Sequence, residues 1–244
     1  MDIKKNIEQE YVGYSDDNNI NCNLNKIANN DVPAKNKPNR KNILEFCAEI
    51  ISMIFTPLII PTYAVCYCIN LPYIAIQSSL SARIMVSLAI LCITCMIPII
   101  SIAFLYKYGK ISDPGVNQQK DRLIPYIITI ISYIVGAIYL TEVNAPKWIP
   151  MFLIGGGLAA ITSLLINLKW KISAHGAGMG GLVALFFTIW ANEYAQEDYM
   201  LATSIVILLT GLVGTSRLIL KRHTLGQVLA GTINGFFWVF LMTI

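Results

Sequence analysis

His175 and His223 are the only histidines in the chain, and imidazole is the side chain whose ordinary pKa suits it to proton transfer near neutral pH. A single histidine at a membrane edge is usually a satisfied interfacial residue. Here both fall at the same expected edge, beside Lys120, Arg122 and Arg217, and that coincidence points to chemistry. Arg217 follows Gly214-Thr215-Ser216 inside the last turns of an apolar segment, where an unpaired charge is costly and generally functional. A planar guanidinium there, facing a second one from Arg122, is what bidentate binding of a phosphate monoester requires. Lys221 and Arg222 read instead as flanking cations that reach the interface and set topology.

These groups must be held by membrane helices. The 244 residues are 55% hydrophobic and 13% charged, with a mean hydropathy of +0.59, well beyond what one soluble core needs. A helix crosses about 30 Å of hydrocarbon with about 20 residues. Seven segments meet that requirement: 43–70, 84–106, 123–141, 148–168, 173–192, 201–220 and 224–244. The first and fifth carry the weakest signal, so the expected fold is an all-α, polytopic transmembrane bundle of six or seven spans. Pro57, Pro61 and Pro98 lie inside spans and predict kinks, since neighbouring helices can satisfy the freed carbonyls. Glycines crowd the fourth, fifth and seventh spans and predict close helix packing, with Gly176, next to His175, a place where a ligand could approach backbone.

Residues 1–41 are polar and Asn/Lys-rich, too poor in apolar surface to offset the entropy of ordering. They are expected to form a disordered tail without a cleavable signal peptide, followed by one membrane domain over 42–244. Threading seven spans puts 107–122, 169–171, 217–223 and the tail on one face. Only Arg83 and Lys147 of the 18 Lys and Arg fall on the other, so the positive-inside rule makes the first face cytoplasmic. Five of the six cysteines lie in apolar runs. Cys92 and Cys95 form a C-x-x-C lacking a second pair or a nearby histidine, which reads as packing rather than as a metal or redox site. No metal or other cofactor and no nucleic acid is expected.

The run Ser216-Arg217-Leu218-Ile219-Leu220-Lys221-Arg222-His223 resembles the third motif of the type 2 phosphatidic acid phosphatase superfamily, membrane phosphatases related to vanadium haloperoxidases: Ser-Arg, five residues, His. Ile172-Ser173-Ala174-His175 is similar to the second, Pro-Ser-Gly-His, keeping the serine and the histidine. Lys120-Asp121-Arg122-Leu123-Ile124-Pro125 echoes the first, Lys, six residues, Arg-Pro, with lysine and proline misplaced. The resemblance implies that His223 takes the phosphoryl group, that His175 protonates the departing alkoxide, and that Arg217, Ser216, Ser173, Arg122 and Lys120 hold phosphate oxygens. It further implies a lipid phosphate substrate, hydrolysed as a phosphomonoester or pyrophosphate in a bacterial inner membrane, with the site often on the periplasmic side, against the charge count. Where the family has an aspartate four residues after the nucleophile, this chain has Gln227. The i, i+4 spacing lets its amide oxygen accept the Nδ1 proton of His223, but an amide cannot stabilise positive charge. Asp113 or Asp121 is then expected to supply the carboxylate, or turnover is slow, or the chain is a phospholipid-binding protein that has lost catalysis.

Overall fold

The computed structural model describes residues 42–191 and 199–244, and the second of its two compact units covers Asn42–Ile244. The expected tail, including Cys22, and most of the 193–200 loop lie outside the described residues. Two short helices, α1 (Ile43–Ile54) and α2 (Ile60–Ile69), open the domain. Six long helices follow: α3 (Leu80–Lys107), α4 (Leu123–Glu142), α5 (Trp148–Asn167), α6 (Ala174–Ala191), α7 (Met200–Ile219) and α8 (Leu225–Thr243). Each of the six is long and apolar enough to cross a bilayer, and the chain is an integral multi-pass membrane protein. Its surface agrees, because Leu208, Ile233, Phe237 and Leu241 on the outer faces are all more than half exposed, a pattern suited to lipid.

The expected first span is not one helix. Pro57 has no N–H, its ring crowds the preceding turn, and it biases Thr56 away from helical backbone. The helix therefore ends at Ile54, with the amides of Phe55 and Thr56 closing onto Ile51 and Met53. Pro61, in the first turn of α2, is where proline costs no hydrogen bond. Residues 55–59 between them form an irregular break that faces inward. In α3, Pro98 comes just after a π-helical turn at Cys92–Met96, which accommodates the ring without ending the helix. Cys95 is buried there and Cys92 exposed, both as free thiols.

Helices α6 and α8 make the closest approach in the bundle. A Cβ added at Gly180 would strike the carbonyl of Thr232, and one at Gly235 the carbonyl of Ala177, so the two backbones touch with no side chain between them. Gly176 belongs to the same seam: its Cβ would fall 2.7 Å from the Val228 oxygen. That corrects the expectation of ligand access at Gly176, since a helix already occupies the space. Helix α5 is tied to α8 by Asn234, whose Nδ2 donates to the Ala159 carbonyl at 2.9 Å and to Ser163 Oγ at 3.0 Å. Polar links of this kind inside a membrane contribute about 0.6 kcal/mol on average, so backbone contact does most of the positioning.

Candidate active site

A short strap between α5 and α6 gathers the site. Its residues are fastened in turn: Lys171 Nζ donates to the Arg222 carbonyl at 2.8 Å, the Ile172 carbonyl accepts from Arg122 Nη1 at 2.8 Å, and the Ser173 amide donates to the Gln227 carbonyl at 3.2 Å. Ser173 Oγ then accepts the Gly176 amide at 3.2 Å, capping the first turn of α6. His175 stands in that turn with Nε2 3.1 Å from the Ser52 carbonyl at the end of α1. A carbonyl only accepts, so Nε2 carries the hydrogen and Nδ1 of the neutral ring is bare.

Opposite the strap, α7 delivers Ser216 and Arg217, both buried. The Nε of Arg217 has no hydrogen-bond partner, and its electrostatic neighbours are Arg222 and Arg122, further cations. Ser216 Oγ donates to the Leu212 carbonyl of its own helix at 2.9 Å, so its proton is already engaged. Arg122 spends Nε on the Val116 carbonyl at 3.2 Å. Val116 has a φ of 49°, left-handed backbone that a β-branched residue rarely adopts, and this strained loop closes over the cluster.

His223 lies in the turn between α7 and α8, where Thr224 begins α8 with a capping box completed by Gln227. Gln227 Oε1 accepts from the Thr224 amide at 3.2 Å and lies 3.1 Å from His223 Nδ1. With that hydrogen on Nδ1, the ring keeps a free lone pair on Nε2. Burial, reinforced by Arg122, Lys171 and Arg217, pushes the His223 pKa down to about 3, so the imidazole is neutral at any working pH. The group is a buried nitrogen base in a field of cations.

Neither aspartate expected to assist His223 reaches it. Asp121 Oδ2 accepts from Ser112 N at 2.8 Å and from Ser112 Oγ at 2.5 Å. Asp113 accepts from Gly115 and Asn117; burial alone would raise its pKa, but these bonds and the nearby Arg222 hold it low. Both carboxylates shape the 108–122 loop instead. Lys120 is also apart: it is exposed and lines a depression with Leu164, Asn167 and Leu168. Lys171, which the sequence reading did not single out, is half-buried and lies in the cluster. Burial and the guanidinium groups of Arg122, Arg217 and Arg222 together lower its pKa.

The cluster opens onto a cavity of about 210 Å³ bounded by His175, Arg217, Arg122, Tyr126 and the Pro57 break. A narrower apolar cavity of about 100 Å³ shares Pro57, Tyr126 and Thr129 with it and runs on past Tyr133 and Gly178 into the bundle. Among the described residues no three His, Cys, Asp or Glu side chains gather as metal ligands. Residues 128–244 match the family model of the PAP2 superfamily.

That part of the chain is similar to the PAP2 superfamily. The match takes in His175, Arg217 and His223 and begins after Arg122 and Lys120, so the second and third motifs lie in the matched portion and the first outside it. The match supports a phosphatase-type function in broad terms. No curated protein and no solved structure matches the chain.

Proposed function

We propose that this chain is a lipid phosphate phosphatase of a bacterial inner membrane, releasing inorganic phosphate from a lipid phosphomonoester or pyrophosphate through a phosphohistidine on His223. The observation that carries the reading is the tautomer of His223: Nδ1–H is engaged by Gln227, Nε2 is bare, and the surrounding charges are all cations. Phosphoryl transfer asks mainly for an in-line nucleophile and positioned positive charge.

In the first step the Nε2 lone pair of His223 forms the N–P bond while the P–O bond to the lipid breaks. Nδ1 of His175, bare in the empty site, takes up a proton as the phosphate dianion binds and passes it to the lipid alkoxide, while Nε2–H stays on the Ser52 carbonyl. In the second step water attacks phosphorus, the N–P bond breaks, and the water proton returns to His175. Arg217 supplies a guanidinium with donors to spare, Arg122 has Nη2 left after its two carbonyl bonds, and Ser173 retains its hydroxyl proton. The cavity along Tyr126 and Tyr133 receives the start of the hydrocarbon chain.

The test is phosphate release by detergent-purified protein from a panel of lipid mono- and diphosphates, beside His223→Ala and His175→Ala. Both substitutions are expected to abolish release, and an acid-labile, base-stable phosphoenzyme is expected in the wild type and absent in His223→Ala. A second reading, a phospholipid-binding protein without turnover, is favoured by Gln227 in place of a carboxylate. A wild type that releases no more phosphate than the two variants on every substrate would make it the better reading.

A further inference from the structure

Lys171 lies in the cation cluster yet belongs to none of the three motifs. Lys171 Nζ has three hydrogens, of which the Arg222 carbonyl takes one. Two remain to be directed at an anion. The strap leaves this side chain little choice of side, because the next two residues are pinned by Arg122 Nη1 and by the Gln227 carbonyl. Its Nζ lies 2.8 Å from the Arg222 carbonyl, so the side chain reaches the turn that carries His223.

Its electrostatic neighbours agree. Arg122, Arg217 and Arg222 all act on Lys171, and at His223 Lys171 is felt more strongly than Arg217. Lys120 acts on neither arginine nor histidine of the cluster; its electrostatic tie is to Asp121 in its own loop. Helix geometry does not constrain Lys120 toward the site, since it sits in the 3-10 turn Gln119–Arg122 and faces the end of α5.

We propose that Lys171 binds the phosphate of the substrate beside His223, filling the lysine role that the motif spacing assigned to Lys120. The proposal rests on the phosphatase reading for the identity of the ligand; the geometry supplies an ammonium with two spare hydrogens beside His223. Lysine suits the place as a compact point charge with rotatable donors, complementing the planar guanidinium of Arg217. With an anion bound, the Nζ that now ties the strap to the Arg222 carbonyl bridges that carbonyl and a phosphate oxygen.

The discriminating substitution is Lys171→Gln, which keeps an N–H donor for the strap and removes the charge. In the active wild type it is expected to raise both KM for the lipid phosphate and the inhibition constant of inorganic phosphate by about 10- to 100-fold, the usual weight of a charge-assisted hydrogen bond. The thermal midpoint should stay within about 2 °C of wild type, and Lys171→Arg should recover most of the affinity. Lys169→Gln, an exposed cation two residues away, controls for loss of charge at this face. If Lys171→Gln binds phosphate as wild type does, or if Lys120→Gln carries the loss instead, the proposal is overturned. Should the wild type release no phosphate from any lipid, the phosphatase reading fails separately, and calorimetric titration with inorganic phosphate still decides the question. Binding weakened in Lys171→Gln then supports the assignment; unchanged or absent binding overturns it.

Discussion

Replacing Gln227 by Glu puts a charge where the chain has a dipole and leaves the local geometry in place. The side chains are isosteric, and Glu serves a capping box as well as Gln does, so the bonds to the Thr224 amide and to His223 Nδ1 are retained. The charge centres would be about 4 Å apart, somewhat beyond the 3.1 Å between Nδ1 and Oε1, which at an effective dielectric of about 20 is worth about 4 kcal/mol. Divided by 1.36 kcal/mol per unit, that lifts the imidazole by about three units, from about 3 to about 6. If half of the positive charge on the ring develops in the transition state, about 2 kcal/mol of stabilisation gives a roughly 30-fold faster phosphorylation step. The sign of the pH effect follows from the need for a neutral nucleophile. In the wild type the ring protonates only as pH falls through about 3, whereas in Gln227→Glu the acid limb of kcat/KM should appear near pH 6. Rapid-quench single turnovers at pH 8 measure the first quantity and a pH series the second. KM should rise, because the new carboxylate repels the substrate dianion. A single-turnover rate equal to or below wild type, with the acid limb unmoved, would refute the claim that charge on His223 limits this site.

Arg217→Met should abolish phosphate release yet raise the thermal midpoint of the detergent-solubilised protein by a few degrees. It removes a buried cation whose Nε is unpartnered and whose charged neighbours are Arg122 and Arg222, and relief of about 1–3 kcal/mol is expected; a lowered midpoint would count against an uncompensated charge there. Gly235→Ala should cost about 1–3 kcal/mol and depress turnover, since the added methyl falls on the Ala177 carbonyl. Gly211→Ala, with nothing near its Cβ, should leave midpoint and rate unchanged, and equal behaviour of the two variants would show that the α6–α8 seam is not tight.

Most of the bundle was legible because the bilayer fixes the length of an apolar run, and α3 to α8 fall within a few residues of the expected segments. The first segment was misread as a kinked span. Pro57 can bend a helix or end one, and the choice depends on whether neighbours satisfy the freed backbone, which no local pattern records. His175, Arg217 and His223 were legible because helix starts and ends fix where those side chains emerge. Lys120 and the two aspartates were not, for the opposite reason: residues 108–122 form a loop whose turns are set by Asp113 and Asp121 bonding to their own segment. Lys171 escaped notice because a lysine beside a span already has an ordinary explanation in snorkelling. Only its bond to the Arg222 carbonyl, formed across 51 residues of sequence, brings it to the histidine turn.

The glycine seam between α6 and α8 works like the fixed jaw of a vice. Where two backbones meet directly, no rotamer can change and no side chain can repack to alter the distance, so the mounts of His175 and His223 move together or not at all. The opposing jaw is α1, which grips His175 through one carbonyl, that of Ser52, and turns Ile43, Leu44 and Met53 outward. Any change in the width of the cavity must therefore come from its other walls, the Pro57 break after α1 and Tyr126 and Thr129 of α4 among them, while the spacing of the two histidines stays constant.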